Sequence, residues 1–171
     1  YSQAGTPRLK AEGAFDAAAR TYTLTLSQSC PATPGQDEKL PFVIPVSMGL
    51  LGQDGASLPL QLSGESAPVG TSRVLVLTEP VQSFTFVDID AEPVPSLLRE
   101  FSAPVVLQDP LGDAGLLTLL RHDTDAFNRW ESAQRLALSR ILAAVTQGHE
   151  LVLDEAFIEA IDRTAILETV R

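Results

Sequence analysis

Thr21-Tyr22-Thr23-Leu24-Thr25-Leu26 decides how the first half of this chain is read. Threonines alternate with Tyr22, Leu24 and Leu26, the period-2 pattern of a strand with one face buried and the other in water. Phe42, Ile44, Val46 and Met48 repeat it. Lys10 to Phe15, Val74 to Leu77 and Phe84 to Val87 add shorter strands, and Leu58-Pro59-Leu60-Gln61-Leu62 reads as another whose proline suits an edge. Gln53-Asp54-Gly55 is a hairpin signal, Thr78-Glu79-Pro80-Val81 a tight corner, and Cys30 to Pro41 a longer surface loop. Short strands, about six or seven of them and set off by such turns, predict an antiparallel, Ig-like β-sandwich.

After residue 104 the period changes. Gly112 to His122 gathers Leu116, Leu117, Leu119 and Leu120 into one helix. Asp125 can cap a second, in which Phe127, Trp130, Gln134, Ala137, Ile141 and Val145 recur at helical spacing and Gly148 marks the end. A third helix starts at about Asp154 and carries Phe157, Ile158, Ile161 and Ala165. The expected division is a sandwich over 1–103 and an incomplete helical domain over 104–171, with Pro93-Val94-Pro95 and Ser102-Ala103-Pro104 bracketing the change. Three helices cannot cover one another's apolar stripes, so further packing partners are expected, either in a longer chain or in a neighbouring molecule. The start at Tyr1-Ser2-Gln3, without Met, carries the same expectation of a piece of a longer protein.

The net charge of −10 is spread evenly: residues 1–104 hold 11 acidic and 6 basic side chains, and residues 105–171 hold the same numbers. No Lys follows Lys39. Phosphate binding needs clustered Lys or Arg, so this composition argues against nucleic acid and anionic membrane surfaces as partners. No apolar run nears the roughly 18–20 residues of a membrane helix. Cys30, the single cysteine, cannot form an internal disulfide, which gives no sign of an oxidising compartment and fits a cytoplasmic setting. It has no basic neighbour to activate it, and reads as an idle thiol.

Few residues offer chemistry. His149-Glu150 opens like the zinc motif H-E-x-x-H, but Leu153 stands where the second histidine would be. His122-Asp123 closes a helix, where a cationic imidazole suits the dipole. The pairs Asp88/Asp90 and Asp154/Glu155 fall at a strand end and a helix start, as turn and cap residues do. No G-x-S-x-G, P-loop or G-x-G-x-x-G occurs. In Arg129-Trp130-Glu131 the tryptophan is expected to face the core, with its charged neighbours flanking it or meeting another domain. No catalytic, cofactor-binding or metal-ligating residue is therefore expected in this chain.

Several segments are familiar in order. Tyr1 to Pro7, Tyr22 to Gln28, Pro31 to Gln36, Lys39 to Val46, Pro93 to Val105 and His122 to Glu131 resemble the bacterial aminopeptidase N family, zinc-dependent alanyl aminopeptidases of the gluzincin class. Ala126 stands where that family often has proline. The likeness runs from Tyr1 to about Leu138. It implies a four-domain parent in which this sandwich is the third domain and the helices open the C-terminal domain. The family's zinc site (H-E-x-x-H with a downstream Glu) and its G-x-M-E-N motif have no counterpart here; Met48 is followed by Gly49. The resemblance thus implies zinc in the parent and none in this piece, peptides as the parent's substrates, and the catalytic and helical domains of the same chain as partners. It gives the piece the role of spacing those domains, with Ser102-Ala103-Pro104 as a hinge. The rival expectation is a free-standing sandwich that binds a protein or carbohydrate through its loops.

Overall fold

The structure, a computed structural model, describes residues 3–148 and 154–169, with side chains through residue 162. Strand β1 (Arg8–Asp16) pairs antiparallel with β2 (Thr21–Ser29) across a turn that Asp16 closes, its Oδ1 accepting from the amides of Ala18 and Ala19 at 2.9 and 3.0 Å. After β3 (Ile44–Leu51) and β4 (Arg73–Leu77), the corner at 78–80 carries the chain across to β5 (Val81–Val87) in the opposite sheet. The strands β6 (Val94–Leu97) and β7 (Val106–Gln108) complete two sheets, of order β5-β2-β1-β7 and β4-β3-β6.

Alternation fills the space between them. Leu9 and Ala11 of β1, Tyr22, Leu24 and Leu26 of β2, and Phe86 of β5 meet Ile44, Val46 and Met48 of β3 and Leu75 and Leu77 of β4, all buried. The intervening threonines of β2 form a hydroxyl ladder with β5: Thr23 with Thr85 at 3.0 Å and Thr25 with Ser83 at 2.9 Å. Burial and, secondarily, the Glu92 carboxylate push the Tyr22 phenol up to about 12.

Three expectations change. Residues 58–62 are not a strand. They leave β3 at the Ser57 and Leu51 bridge and reach β5 at the Leu62 and Phe86 bridge, so the segment crosses between sheets and can ladder along neither. Leu60, fully buried, plugs the core on the way. Second, the sheet containing β1 is mixed, because β7 runs parallel to it with Arg8 opposite Val106. Third, β6 and β7 are too short, and β6 too rich in proline, to show a period; β7 carries the sheet past residue 104.

The helices are α1 (Asp113–His122), α2 (Ala126–Gln147) and α3 (Glu155–Thr169). Asp125 caps α2 by accepting from the Asn128 amide at 2.8 Å, Gly148 closes it at φ 66°, and Asp154 caps α3 through the Phe157 amide at 2.9 Å. Leu116, Leu120, Leu136, Phe157 and Ala160 form the helical core, and Leu119 joins Leu51 and Val94 to seat α1 on the sandwich.

The buried face of α2 is not the apolar stripe. It is Asn128, Ser132 and Leu136, while Trp130 is 57 % exposed and Ile141 and Val145 also face outward. A polar contact with the sandwich turns Asn128 inward and rotates the stripe away. On α3 Phe157 is buried and Ile158 and Ile161 are exposed; Ala165 lies outside the described side chains.

Two measurements check this packing. Leu136→Ala should lower unfolding stability by about 2–5 kcal/mol, and Trp130→Ala by less than about 1 kcal/mol, in urea titrations of this chain. Tyr22 favours its neutral form in the fold, so its contribution is complete below pH 10 and is lost as pH rises through about 12. Stability should fall by up to about 1.4 kcal/mol per pH unit across that window, and Tyr22→Phe should remove this part of the alkaline slope.

Candidate functional site

The residues considered for chemistry lie apart. His122 is exposed at the end of α1, its ring against Gly55 of the β3 turn, where only glycine leaves it room. Asp88 and Asp90 share Arg20, at 3.8 and 2.7 Å, on the surface. Asp154 is the α3 cap and pairs with Arg140, whose hydrogen bond holds its carboxyl below the usual range. Cys30 is half-buried, with Sγ 3.9 Å from the Ala4 carbonyl oxygen. Among the described residues no three His, Cys, Asp or Glu side chains are grouped to hold a metal ion. His149, Glu150 and Leu153 lie outside the described residues.

What the fold does bring together is a buried polar hub where β6, β3, α1 and α2 converge. Arg99 and Asp123 form its centre, at 3.0 Å, with side chains 6 % and 0 % exposed. The Arg99 Nε donates to Ser96 Oγ at 2.8 Å. Asn128 Nδ2 donates to the same Ser96 Oγ at 2.7 Å and to the Leu97 carbonyl at 3.0 Å. Asp123 Oδ1 also accepts from the Asp125 amide, and the Asp123 carbonyl accepts from Arg129. Gly49 of β3 lies against the guanidinium, in space that any Cβ would fill.

The backbone carrying Arg99 is strained. Leu98, Glu100 and Phe101 have φ of 57°, 56° and 54°, the left-handed region that disfavours side chains other than glycine. Each such residue costs about 1 kcal/mol or more, and the hub offsets this. Asp125 Oδ2 accepts from the Glu100 amide at 3.0 Å, so the residue that caps α2 also closes the turn. Ser102 Oγ accepts from the Ser47 amide and donates to the Pro45 carbonyl, and Ala103 is buried. The expected hinge at 102–104 is thus fastened to β3.

The Arg129-Trp130-Glu131 cluster sits beside the hub, with a correction. Trp130 points outward and forms a tilted aromatic row with Phe127 and Phe101, at centroid distances of 5.9 and 5.4 Å. Next to this row a cleft of about 430 Å³, lined by Leu97, Leu98, Val106, Leu107 and Phe127, separates β6 and β7 from α2. Its far end is closed by a bidentate pair, Arg135 to Asp109 at 2.8 Å on both oxygens, which pushes the guanidinium above its ordinary range.

From sequence, Asp125 reads as a helix cap, and Asp123 and Arg129 enter only with their chain neighbours; Arg99, Ser96, Asn128 and the pairing of Arg99 with Asp123 were not singled out. The available signals were the odd pairing of a charged Arg99 with the apolar Val94 to Leu98 run, and Gly49 inside an alternating strand.

The family described as "Domain of unknown function (DUF3458) Ig-like fold" matches residues 5–110, and "Domain of unknown function (DUF3458_C) ARM repeats" matches residues 113–169. The chain is homologous to aminopeptidase N. It is 42 % identical to that of Escherichia coli over 90 % of its own length, 39 % to that of Haemophilus influenzae over 94 %, and 38 % to that of Caulobacter vibrioides over 97 %. It spans 18 % of the length of each. Among solved structures, Legionella pneumophila aminopeptidase A in complex with aspartic acid matches with a TM-score of 0.70 and 27 % identity, over 93 % of this chain and 16 % of that one.

Truncating the hub should cost far more than removing a surface ion pair. Asp123→Ala leaves the Arg99 charge buried and is expected to lower stability by about 3–5 kcal/mol. Gly49→Ala should destabilise the chain too, by displacing the guanidinium. Chemical denaturation of the two variants checks both, against Asp90→Ala as a surface control that should change little.

Proposed function

The chain belongs to the family described as a domain of unknown function (DUF3458) with an Ig-like fold, and on that footing we propose that it is a non-catalytic piece of a larger zinc aminopeptidase. The observation that carries this reading is the identity of 38–42 % to three aminopeptidases N over 90–97 % of this chain, and only 18 % of theirs. At 90–97 % of this chain each match takes in both the sandwich and the helices, which favours a piece of a multidomain peptidase over a free-standing binding module.

In this reading the division of labour is physical. The parent would remove N-terminal residues from peptides in the cytoplasm, with its zinc ligands in another part of the longer protein, where a bound zinc would polarise the scissile carbonyl and activate water. Among the described residues none fits a zinc site: the grouped carboxylates are caps and ion-pair partners, and His122 lies on the surface at the end of α1. This piece, a sandwich expected over 1–103 with helices over 104–171, spaces the catalytic domain from the rest of the helical domain. Its partners are those two domains. The exposed row of Trp130, Leu138, Ile141, Leu142 and Val145 on α2 supports the helical side of that assignment, because helices of ARM type bury their stripes against neighbours.

The test is an assay of the purified 171-residue chain for bound zinc and for alanyl-aminopeptidase turnover, beside the product of the complete reading frame. The short chain is expected to hold no stoichiometric zinc and to turn over nothing, and the long one to do both. Metal and turnover in the short chain, or a long product without an upstream H-E-x-x-H and without activity, would overturn the proposal.

A further inference from the structure

We propose that the Arg99–Asp123 pair is a latch that locks α1 and α2 to the sandwich as one rigid body by holding the 98–101 turn in its left-handed conformation. The inference concerns the chain itself and stands whether or not the parent is a peptidase. Three observations converge on it. The turn has three non-glycine residues at positive φ, a conformation that does not persist unless its surroundings impose it. Groups around the turn are tied across the boundary, Ser96 and Leu97 to Asn128 of α2, Glu100 to Asp125 at the α2 cap and Arg99 to Asp123 after α1, while Ser102 fastens the end of the turn to β3. Finally, the guanidinium lies between Gly49 of β3 and the start of α2, so it can stay paired only while sheet and helices keep their separation.

The coupling at Asp125 makes the latch all-or-none. One oxygen caps α2 and the other closes the turn. Asp123 Oδ1, the atom that receives Arg99, also receives the Asp125 amide and so fixes where Asp125 stands. Losing the ion pair therefore frees the cap and the turn together. The turn then relaxes out of the left-handed region, and α1 and α2 are left with the Asn128 bonds to β6, the connection 109–112, the Asp109–Arg135 pair and the small Leu51, Val94 and Leu119 cluster.

Hydrogen exchange read by mass spectrometry on the whole chain tests this. In the wild type, peptides covering 96–104 and 121–130 should match the protection of β3 within about threefold, as parts of one cooperative unit. Arg99→Lys keeps the charge but loses the fork, and Asp123→Asn keeps the shape but loses the charge. Each should lower protection of both segments by about tenfold or more while β1 and β2 keep theirs. Fast exchange of 96–104 in the wild type, unchanged protection in the variants, or an equal loss over the whole chain would overturn the latch.

Glu100→Gly adds a readout that leaves the pair untouched. It should raise the thermal midpoint of the wild type by relieving the left-handed backbone. In the Arg99→Lys background, where the turn has already relaxed, the rise should be less than about half as large. Equal rises in both backgrounds would show that the pair does not hold the turn, and the proposal would fail even if Asp123→Asn did not fold.

Discussion

The fold depends most on a charge that has been taken out of water. Arg99 sits where the last strands of the sandwich meet the end of α1 and the first turn of α2, and its guanidinium bonds Asp123 and Ser96, side chains on opposite sides of that boundary. A buried ion pair is a poor source of net stability, because desolvation offsets most of the attraction. Its effect is on geometry. Separating the partners strands a charge, so the relative placement of sandwich and helices is steep in energy near one arrangement. Asn128 adds to that steepness by using both hydrogens of its amide on β6.

That polar choice explains the orientation of α2. A helix turns its most apolar face inward when the surface opposite is apolar. Here the opposing surface is the Ser96 hydroxyl and the Leu97 carbonyl, which need donors, and Asn128 supplies them. Ser132 and Leu136 follow Asn128 at intervals of four and line the same face. The stripe through Trp130, Ile141 and Val145 is left on the outside as the geometric complement of that contact. Sequence periodicity located the helix and both its caps, yet placed the wrong face inward. Periodicity reports which residues are apolar; which of them are covered depends on a partner surface over 30 residues away in the chain.

The same limit governs what was legible in the sandwich. A strand such as Thr21 to Leu26 declares itself because each buried residue is flanked by a polar one. Val94–Leu97 and Val106–Gln108 do not, since a prolyl residue or a length of three leaves no period to read. Leu58 to Leu62 shows the reverse case: the composition of a strand, but a path from one sheet to the other, so its leucines pack on the core while its amides go in turn to Leu50 of β3, Gly70 and the Glu65 carboxylate. The hub was the least legible part. Its members are spread from Gly49 to Arg129, and the positive φ values at Leu98, Glu100 and Phe101 are carried by residue types that give no hint of them.

These features also bear on the proposed role of a spacer between domains. A spacer transmits position only if it resists bending, and the weakest point of a two-layer sandwich followed by helices is the chain that joins them. Ordinarily that joint is a polar loop with few contacts across it. Here Ser102 is bonded at both its hydroxyl lone pair and its proton to β3, Ala103 is buried, and the next residues enter the sheet as β7 instead of leaving it. The crossing is thereby moved from a flexible linker into a packed core, where displacement by even one ångström must break a charge-assisted hydrogen bond or push a guanidinium into Gly49. A stiff joint of this kind confines any larger movement to surfaces outside it, and the apolar row on α2, held at a fixed angle to the sandwich by the hub beneath it, is the surface so placed.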